Sequence, residues 1–485
     1  MGDILQANDP SNEDNKFDIG LGLAEFAAKR PVSNGFIILC VISYLLWLLL
    51  SPRDAVKNLL AAMAWISVAF AGFRLAACLA AKPKDHGIAT LSADLPKYTI
   101  LVPLFHEVQM VEQVMTGLDR LRYPSEKLEI ILITEEVDPF TTLAVTEALR
   151  PPFRQIIVPK GSPQTKPRAL NYALERSNGE FVTIYDAEDR PHPNQLLAAV
   201  AAFEARTDWA AVQAPLDYFN DQDNWLTRQF SLEYAALFHV WIPFLVRLNL
   251  PFPLGGTSNH IRRSALARVG GWDSHNVTED ADLSFRLAAY GYNIGYIYPP
   301  TQEEAVSIFQ DWRLQRARWI KGYIQTWDVH MAKPLAPGGI KGILRFFTLQ
   351  LTLGITLLSI LFYTPVVLGL PLFALTLWWV SVPLDIGLTY SLTFMFSISI
   401  GCLIGIVGAH RAGKAKLIRS ALSMPLYWLL LFGPAVRAFS ELKGKRFLWH
   451  KTRHGVSRPA DLNPLPLKTT PKAAAKNVSL RRSSD

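Results

Sequence analysis

Long hydrophobic runs at both ends of the chain enclose a middle part of mixed polarity. Residues 35–50 and 58–80 are almost wholly apolar, and the chain becomes apolar again from residue 343 to about residue 438. A helix needs roughly 20 apolar residues to cross a bilayer. The pattern therefore predicts two transmembrane helices in residues 35–80 and about four transmembrane or interfacial helices in residues 341–440.

The middle part, residues 81–340, alternates strand patterns with helix patterns. Short runs rich in β-branched and aromatic residues predict strands at residues 97–103, 128–134, 155–158 and 181–185. Helical spacing predicts helices between them, for example at residues 108–121 and 166–177. This alternation is typical of an α/β domain with a doubly wound, mostly parallel sheet, whose ligands bind beyond the carboxyl ends of the strands.

Charged residues around the apolar runs predict the membrane orientation of the chain and the character of its two terminal segments. Residues 1–34 are polar and contain no cleavable signal peptide, and lysines and arginines flank the runs on the side of the middle domain. A cytoplasmic domain and a bacterial inner-membrane location follow from this bias. Residues 441–456 form a basic segment, and residues 457–485 have the composition of a disordered tail. Residues 420–437 can be either a span or an interfacial helix.

Composition narrows the functional classes further. Half of the residues are hydrophobic and only 19% are charged, which suits a membrane protein with a sizeable water-facing domain. Cys40, Cys78 and Cys402 lie in apolar runs without CxxC spacing, so we interpret them as small core residues. The net charge of +8 fits anchoring at the cytoplasmic face better than nucleic-acid binding, because no basic stripe with interleaved aromatic residues is present.

Three carboxylates follow the strand at residues 181–185. Asp186, Glu188 and Asp189 would repel one another unless they lie in water or share a cation. Hard divalent cations take oxygen ligands and commonly bridge substrate phosphates. The sequence therefore predicts a Mg²⁺ or Mn²⁺ site, with a solvated turn before Pro191 as the simpler alternative.

Two further motifs place charge at predicted helix starts. Lys166 opens a helix, where a cation is poorly placed for the helix dipole and more plausibly faces an anion. Downstream, Thr278 is a good N-cap for a helix whose first turn holds Glu279, Asp280 and Asp282. These acids have an ordinary explanation in the helix dipole, whereas the functional interpretation makes one of them a general base.

A third motif occurs near the end of the middle domain. Gln315, Arg318 and Trp319 are spaced i, i+3 and i+4, so they share one helix face. A guanidinium beside an indole suits a diphosphate and a sugar ring. An amphipathic interfacial helix with a tryptophan anchor is the commoner arrangement for such a segment.

Taken together and in this order, the motifs resemble the membrane-integrated, processive family-2 glycosyltransferases, which are relatives of cellulose, curdlan and hyaluronan synthases. The similarity is greatest to the bacterial branch with a DAED metal motif and a closing W-x-K-T-x-H-G element, here residues 449–455. It extends over roughly residues 35–456. The resemblance implies a GT-A glycosyltransferase domain inserted between transmembrane helices, and an inverting displacement of a nucleoside diphosphate.

The resemblance also implies roles for individual residues. Asp280 is the expected catalytic base, and Asp186, Glu188 and Asp189 are the expected metal ligands. The expected substrate-binding residues, which contact nucleotide, diphosphate or acceptor, are Glu135 or Glu136, Lys166, Asp186, Gly256, Thr257, Ser258, Glu279, Gln315, Arg318, Trp319, Lys451 and Thr452. Of these, Arg318 would meet the diphosphate and Trp319 the acceptor sugar. Lys451 and Thr452 would belong to a gating element that closes over the nucleotide.

The function implied by the resemblance is polymerisation of sugar from a nucleotide-diphosphate sugar such as a UDP-sugar, with extrusion of the product. Expected partners are the growing polysaccharide, membrane lipid and periplasmic or outer-membrane export proteins, but no nucleic acid. The first alternative is a non-processive transferase that acts on a lipid-linked or glycan acceptor. The second is a catalytically inactive membrane scaffold or channel. The motifs do not specify the sugar or the linkage.

Overall fold

The structure is a computed structural model that describes residues 34–92, 94–368, 374–375, 378–379, 381, 384–442, 444 and 447. Nearly all of the predicted N-terminal segment, the predicted gating residues Lys451 and Thr452, and the predicted tail at residues 457–485 lie outside the described residues.

The middle domain is built on a mostly parallel sheet, as the sequence predicts. Its strands are β1 (Tyr98–Pro103), β2 (Leu128–Glu135), β3 (Phe153–Val158), β4 (Phe181–Ile184), β6 (Trp209–Gln213), β8 (Asn259–Arg262) and β9 (Asn293–Tyr296). They lie in the order β3-β2-β1-β4-β8-β6-β9. Only β8 runs antiparallel to its neighbours. A small second sheet, β5-β10-β7, is formed by β5 (Arg190–Pro191), β7 (Leu216–Tyr218) and β10 (Thr301–Glu303).

Helices alternate with the strands along the middle domain and form the apolar parts on either side of it. The described α-helices include α1 (Asn34–Leu50), α2 (Pro52–Leu79), α3 (Val111–Leu118), α4 (Pro139–Ala148), α5 (Lys166–Leu174), α6 (Gln195–Ala205), α7 (Trp225–Ala236), α8 (Ile242–Arg247), α9 (Arg263–Arg268), α10 (Glu279–Ala289), α11 (Phe309–Met331), α12 (Gly339–Leu349), α13 (Ile355–Leu368), α14 (Leu384–Arg411), α15 (Met424–Leu430) and α16 (Phe432–Glu441). The helices predicted at residues 108–121 and 166–177 are thus present, although each ends three residues early.

Four helical stretches within the described residues are long and apolar enough to cross a membrane, namely Pro52–Leu79, Gly339–Pro365, Leu388–Arg411 and Ala415–Glu441. Helix α1, at 17 residues, is a further apolar helix. The uncertain segment 420–437 lies in the last of the four stretches, which starts as a 3₁₀ helix at Ala415–Ser423. Its assignment as a span or an interfacial helix stays a prediction.

Polar contacts join the apolar helices to one another and to the middle domain. The guanidinium of Arg411, at the end of α14, donates to the carbonyl oxygens of Cys78 and Ala80 at 2.7 and 2.9 Å. These carbonyls lie at the end of α2, where no further helical turn supplies N–H donors to them. On the other side, the buried ammonium of Lys321 on α11 pairs with Glu441 on α16 at 3.0 Å. Helix α14 is thus held to the end of α2, and helix α11 is held to α16.

Candidate active site

A single cavity of about 1450 Å³ extends from the carboxyl ends of the strands into the apolar helices. Most of the predicted site residues line it, and they come from six separate segments of the chain. These residues are Glu135, Lys166, Asp186, Glu188, Gly256, Thr257, Glu279, Asp280, Gln315, Arg318 and Trp319. The position agrees with the rule that ligands of open α/β sheets bind beyond the carboxyl ends of the strands.

Lys166 connects three of these segments. It lies in the first turn of α5, and its ammonium donates to Oδ1 of Asp186 at 2.5 Å and to the carbonyl oxygen of Gly256 at 2.9 Å. Burial alone would lower the pKa of Lys166, but the carboxylates of Asp186 and Glu279 outweigh it and raise the pKa above its usual range. Lys166 is therefore a permanent cation among carboxylates.

The three carboxylates that follow β4 do not all face the cavity. Asp189 is 1% exposed, and its Oδ2 accepts hydrogen bonds from the backbone N–H of Asp186, at 2.7 Å, and from the hydroxyl of Thr257. Its other oxygen is buried without a hydrogen-bond partner among the described residues. Asp189 therefore holds the turn, and its role as a metal ligand stays a prediction.

Asp186 and Glu188, in contrast, both line the cavity. Burial, and then the nearby carboxylates of Asp186 and Glu107, raise the pKa of Glu188 well above its usual range. Crowded carboxylates of this kind are stabilised in their ionised form by a cation. Within the part of the chain that the structure describes, no three His, Cys, Asp or Glu side chains form a complete metal cage. Mg²⁺ is often held by only one or two carboxylates together with substrate phosphates, and the donor set fits that mode.

Glu279 and Asp280 begin α10 and form another part of the cavity wall. Burial raises the pKa of Asp280 to about 6. Burial, and then the charge of Asp280, raise the pKa of Glu279 to about 7. A carboxylate with a pKa near neutrality can accept a proton at physiological pH and is suited to act as a general base.

The backbone at Gly256 lies beside both Asp280 and Lys166. A Cβ atom at this position would lie 3.4 Å from Oδ2 of Asp280 and 3.9 Å from the ammonium of Lys166. Thr257 also lines the cavity, whereas Ser258 is fully buried and its hydroxyl lies 2.6 Å from that of Thr301. Of the predicted Gly256–Thr257–Ser258 group, the first two residues thus line the cavity, and a substrate contact of Ser258 stays a prediction.

The predicted Gln315–Arg318–Trp319 face also turns toward the cavity. Burial lowers the pKa of the Arg318 guanidinium. Four nearby carboxylates attract the guanidinium and partly oppose this shift, namely those of Glu279, Asp186, Asp280 and Glu188. Trp319 lies against Phe230 and Tyr234, with ring centroids 5.9 and 6.2 Å apart. A guanidinium and an indole are thus presented next to the acidic cluster.

The two candidate acids after β2 point in different directions. Glu135 is 7% exposed and lines the cavity, and burial raises its pKa. Glu136 is exposed and accepts a hydrogen bond from the backbone N–H of Lys160 at 2.8 Å. Glu135 is therefore the one of the pair that can contact a nucleotide.

Sequence reasoning missed several charged residues of the cavity. Glu303 in β10 lines it, and Oε1 of this residue is buried without a hydrogen-bond partner among the described residues. Glu107, after β1, approaches Glu188. Glu107 could have been found from its position after a strand. Glu303 could not, because β10 is only three residues long and gives no recognisable pattern.

Arg316 was also missed, although it lies inside the third motif. Its guanidinium is 6% exposed and makes two contacts with Glu233, at 2.7 and 2.8 Å. The guanidinium carbon lies 4.3 Å from the ring centroid of Phe230 and 4.6 Å from that of Trp319. Glu233 and Arg316 therefore fix the position of the indole.

Comparison with known proteins identifies related chains. The model of the glycosyl transferase family group 2 matches residues 181–437. The probable glycosyltransferase YdaM of Bacillus subtilis is 28% identical over 239 residues, which is 47% of this chain and 56% of the relative. The beta-monoglucosyldiacylglycerol synthase of Synechocystis sp. is 27% identical over 384 residues, 75% of this chain and 76% of the relative.

Among solved structures, the fold is similar to that of the mannosyltransferase PcManGT from Pyrobaculum calidifontis in complex with GDP-Man and Mn²⁺. The TM-score is 0.50 at 18% sequence identity, and the match covers 81% of this chain and 99% of that chain. At this identity the similarity establishes the GT-A-like fold.

Proposed function

The chain belongs to the glycosyl transferase family group 2, and we propose that it is an inverting enzyme that transfers one sugar from a nucleotide sugar to the hydroxyl group of a membrane lipid. The observation that carries this proposal is the continuous cavity, which has charged side chains at the sheet and an apolar lining among the membrane helices. Glycosyl transfer from nucleotide sugars is the activity of the family; the lipid acceptor, the inverting course and the residue roles are our proposal.

The charged part of the cavity fits a nucleoside diphosphate. Lys166 and Arg318 supply cations for the diphosphate, and Glu135 contacts the nucleotide. Asp186 and Glu188 would hold Mg²⁺ or Mn²⁺, which would neutralise charge that develops on the leaving phosphate. Mn²⁺ in the solved PcManGT complex supports a metal requirement in this fold, although that complex belongs to another protein.

Asp280 is the residue best suited to activate the acceptor. Its carboxylate removes the proton from the acceptor hydroxyl while the hydroxyl oxygen forms a bond to the anomeric carbon. The bond between that carbon and the diphosphate breaks on the opposite face, so the configuration inverts. Arg318 stabilises the departing diphosphate, and Trp319 holds the acceptor in line, which supplies proximity.

The membrane part of the cavity favours a lipid over a polysaccharide. Its walls include the apolar side chains of Leu60, Met63, Phe70, Leu358, Phe362, Phe394 and Ile398. An apolar lining solvates acyl chains well, but it leaves the hydroxyl groups of a sugar polymer without hydrogen-bond partners. The Synechocystis relative, named for synthesis of a glucosyldiacylglycerol, supports the same choice.

Processive synthesis, with a growing polysaccharide and export partners, is the second candidate. One observation favours it: the hydroxyl-bearing residues Thr356, Ser359, Tyr363, Tyr390 and Ser397 also line the membrane part of the cavity. The resemblance to cellulose-type synthases and to the DAED branch implies this second candidate function.

The location is part of the proposal. Four apolar helices that could cross a membrane suit a multi-pass protein of a bacterial inner membrane. The domain that holds the cavity would face the cytoplasm, where nucleotide sugars are made.

Purified protein in lipid nanodiscs tests the proposal. We expect radiolabel from a panel of nucleotide sugars, including UDP- and GDP-linked ones, to enter a lipid-extractable product with a single added sugar in the presence of Mg²⁺ or Mn²⁺. Linkage and anomer analysis of that product reports inversion. A long polymer that remains in the aqueous phase would instead favour the processive candidate.

A further inference from the structure

Arg74 is the one arginine in the apolar run at residues 58–80, and it lies on the wall of the cavity. Nine residues of α2 line the cavity, and five of them, at intervals of three and four residues, form one helical stripe: Leu60, Met63, Ser67, Phe70 and Arg74. Arg74 is the end of this stripe nearest the catalytic domain, five residues before the end of α2 at Leu79.

The side chain of Arg74 is held by an aromatic ring and by no carboxylate among the described residues. Its guanidinium carbon lies 4.1 Å from the ring centroid of Phe70, which in turn contacts Trp241 at 6.0 Å. Among the described residues, the guanidinium forms no hydrogen bond or ion pair. Its nitrogen atoms are not fully buried. The guanidinium therefore faces the cavity with its donors available.

Arg74 lies near the end of α2 that leads to the middle domain, and we take that end as the membrane boundary. At a rise of about 1.5 Å per residue, it lies roughly 7.5 Å inside the end of α2. Arg411 marks that end, since it donates to the carbonyl oxygens of Cys78 and Ala80. Trp241, beside Phe70, is the residue type that prefers this boundary.

We propose that Arg74 binds the phosphate of an anionic acceptor lipid whose acyl chains lie along the stripe of α2, so that the acceptor is an anionic phospholipid rather than a neutral diacylglycerol. A charged side chain in a membrane helix is costly and usually marks a ligand site when it faces a cavity. A guanidinium binds phosphate through two parallel hydrogen bonds, which a neutral headgroup cannot accept with equal strength. The inference rests on the proposed lipid acceptor.

The test compares full-length wild-type protein with Arg74→Gln, Arg74→Lys and the control Arg53→Gln. Arg53→Gln removes the same charge from an exposed position at the other end of the same helix. Each protein is assayed in neutral nanodiscs that contain either phosphatidylglycerol or dioleoylglycerol as acceptor. Binding of each lipid without a sugar donor is measured separately by native mass spectrometry, and binding of nucleoside diphosphate by calorimetry.

We expect the wild type to prefer phosphatidylglycerol, and Arg74→Gln to raise the KM for this lipid about tenfold or more, since a charge-assisted hydrogen bond is lost. Arg74→Lys should recover part of the loss, and Arg53→Gln should behave as the wild type. Nucleoside diphosphate affinity should not change in any variant.

Equal use of the two lipids by the wild type, or an equal effect of Arg74→Gln on both, would overturn the inference while leaving lipid glycosylation intact. Weaker nucleoside diphosphate binding by Arg74→Gln would overturn it too, because the anion would then be the donor. If neither lipid accepts sugar but phosphatidylglycerol binding depends on Arg74, the anion site stands and the proposed acceptor function fails.

Discussion

The ammonium of Lys166 lies 2.5 Å from Oδ1 of Asp186, and this ion pair joins the first turn of α5 to the loop after β4. Neither side chain is fully covered, at 14% and 32% exposure. The cation thus lies where the proposed donor phosphates and metal would meet. A bound diphosphate can pair with Lys166 while a metal ion pairs with Asp186. Substrate binding would then replace the one Lys166–Asp186 ion pair by these two.

Removal of the Lys166 charge should weaken donor binding. We expect Lys166→Met to raise the Kd for a nucleoside diphosphate about tenfold, because a charge-assisted contact to phosphate is lost. Titration calorimetry measures this value, and Lys160→Met, at an exposed lysine outside the cavity, is the matched control. Equal affinities of the two variants would place the diphosphate elsewhere.

Asp280→Asn should abolish turnover while donor binding survives. Loss of a general base typically lowers the rate by about 10²–10⁴-fold, and the neutral amide still fits the space of the carboxylate. The kcat for lipid glycosylation and the Kd for nucleoside diphosphate report the two effects separately. Asp94→Asn, at an exposed position, should change neither value. If Asp280→Asn kept more than about a tenth of the wild-type kcat, the assignment of the base would be refuted.

The pH dependence of the wild type should report the same carboxylate. Burial raises the pKa of Asp280 to about 6, so the protonated and inactive form becomes dominant as the pH falls below that value. We expect kcat to be constant at higher pH and to fall about tenfold per pH unit on the acid side. A rate that stays constant from about pH 7 to about pH 5 would contradict a base with this pKa.

Elements with a strong local pattern could be predicted from the sequence. The strand pattern at residues 128–134, which is rich in isoleucine and leucine, became β2, which ends only one residue later at Glu135. The position of the cavity followed, because parallel strands bring their carboxyl ends to one edge. Helix faces were equally predictable, since Gln315, Arg318 and Trp319 do line one cavity.

Contacts between distant segments could not be predicted in this way. The role of Asp189 depends on the hydroxyl of Thr257, which is 68 residues away in the chain. Similarly, Arg316 and Arg318 are chemically identical and two residues apart, but successive residues of a helix differ by about 100° in direction. Only the structure reveals that Arg316 turns to Glu233 and Arg318 to the acidic cluster.

The Glu233–Arg316 pair predicts an effect on the acceptor side. Glu233→Gln removes the charge of the ion pair that holds Arg316 against the ring of Trp319. We therefore expect a higher KM for the lipid acceptor, a small change in the Kd for nucleoside diphosphate, and a lower Tm. Kinetics with each substrate varied in turn, together with thermal unfolding in detergent, measures all three. A variant whose donor affinity falls as much as its acceptor affinity would disagree with a role confined to Trp319.

Glu188 lines the cavity whereas Asp189 is buried in the turn, so we expect different phenotypes when each of these neighbouring carboxylates is replaced. Glu188→Gln removes a cavity-lining carboxylate, so the Mn²⁺ concentration for half-maximal activity should rise about tenfold or more. Asp189→Asn replaces a buried acceptor of two hydrogen bonds, at a cost of about 1–3 kcal/mol of stability, and should lower the Tm instead. Metal titrations of activity and thermal unfolding separate the two effects. If Asp189→Asn raised the Mn²⁺ requirement as much as Glu188→Gln without loss of Tm, Asp189 would be a metal ligand, as the sequence alone predicts, and the turn would need another anchor.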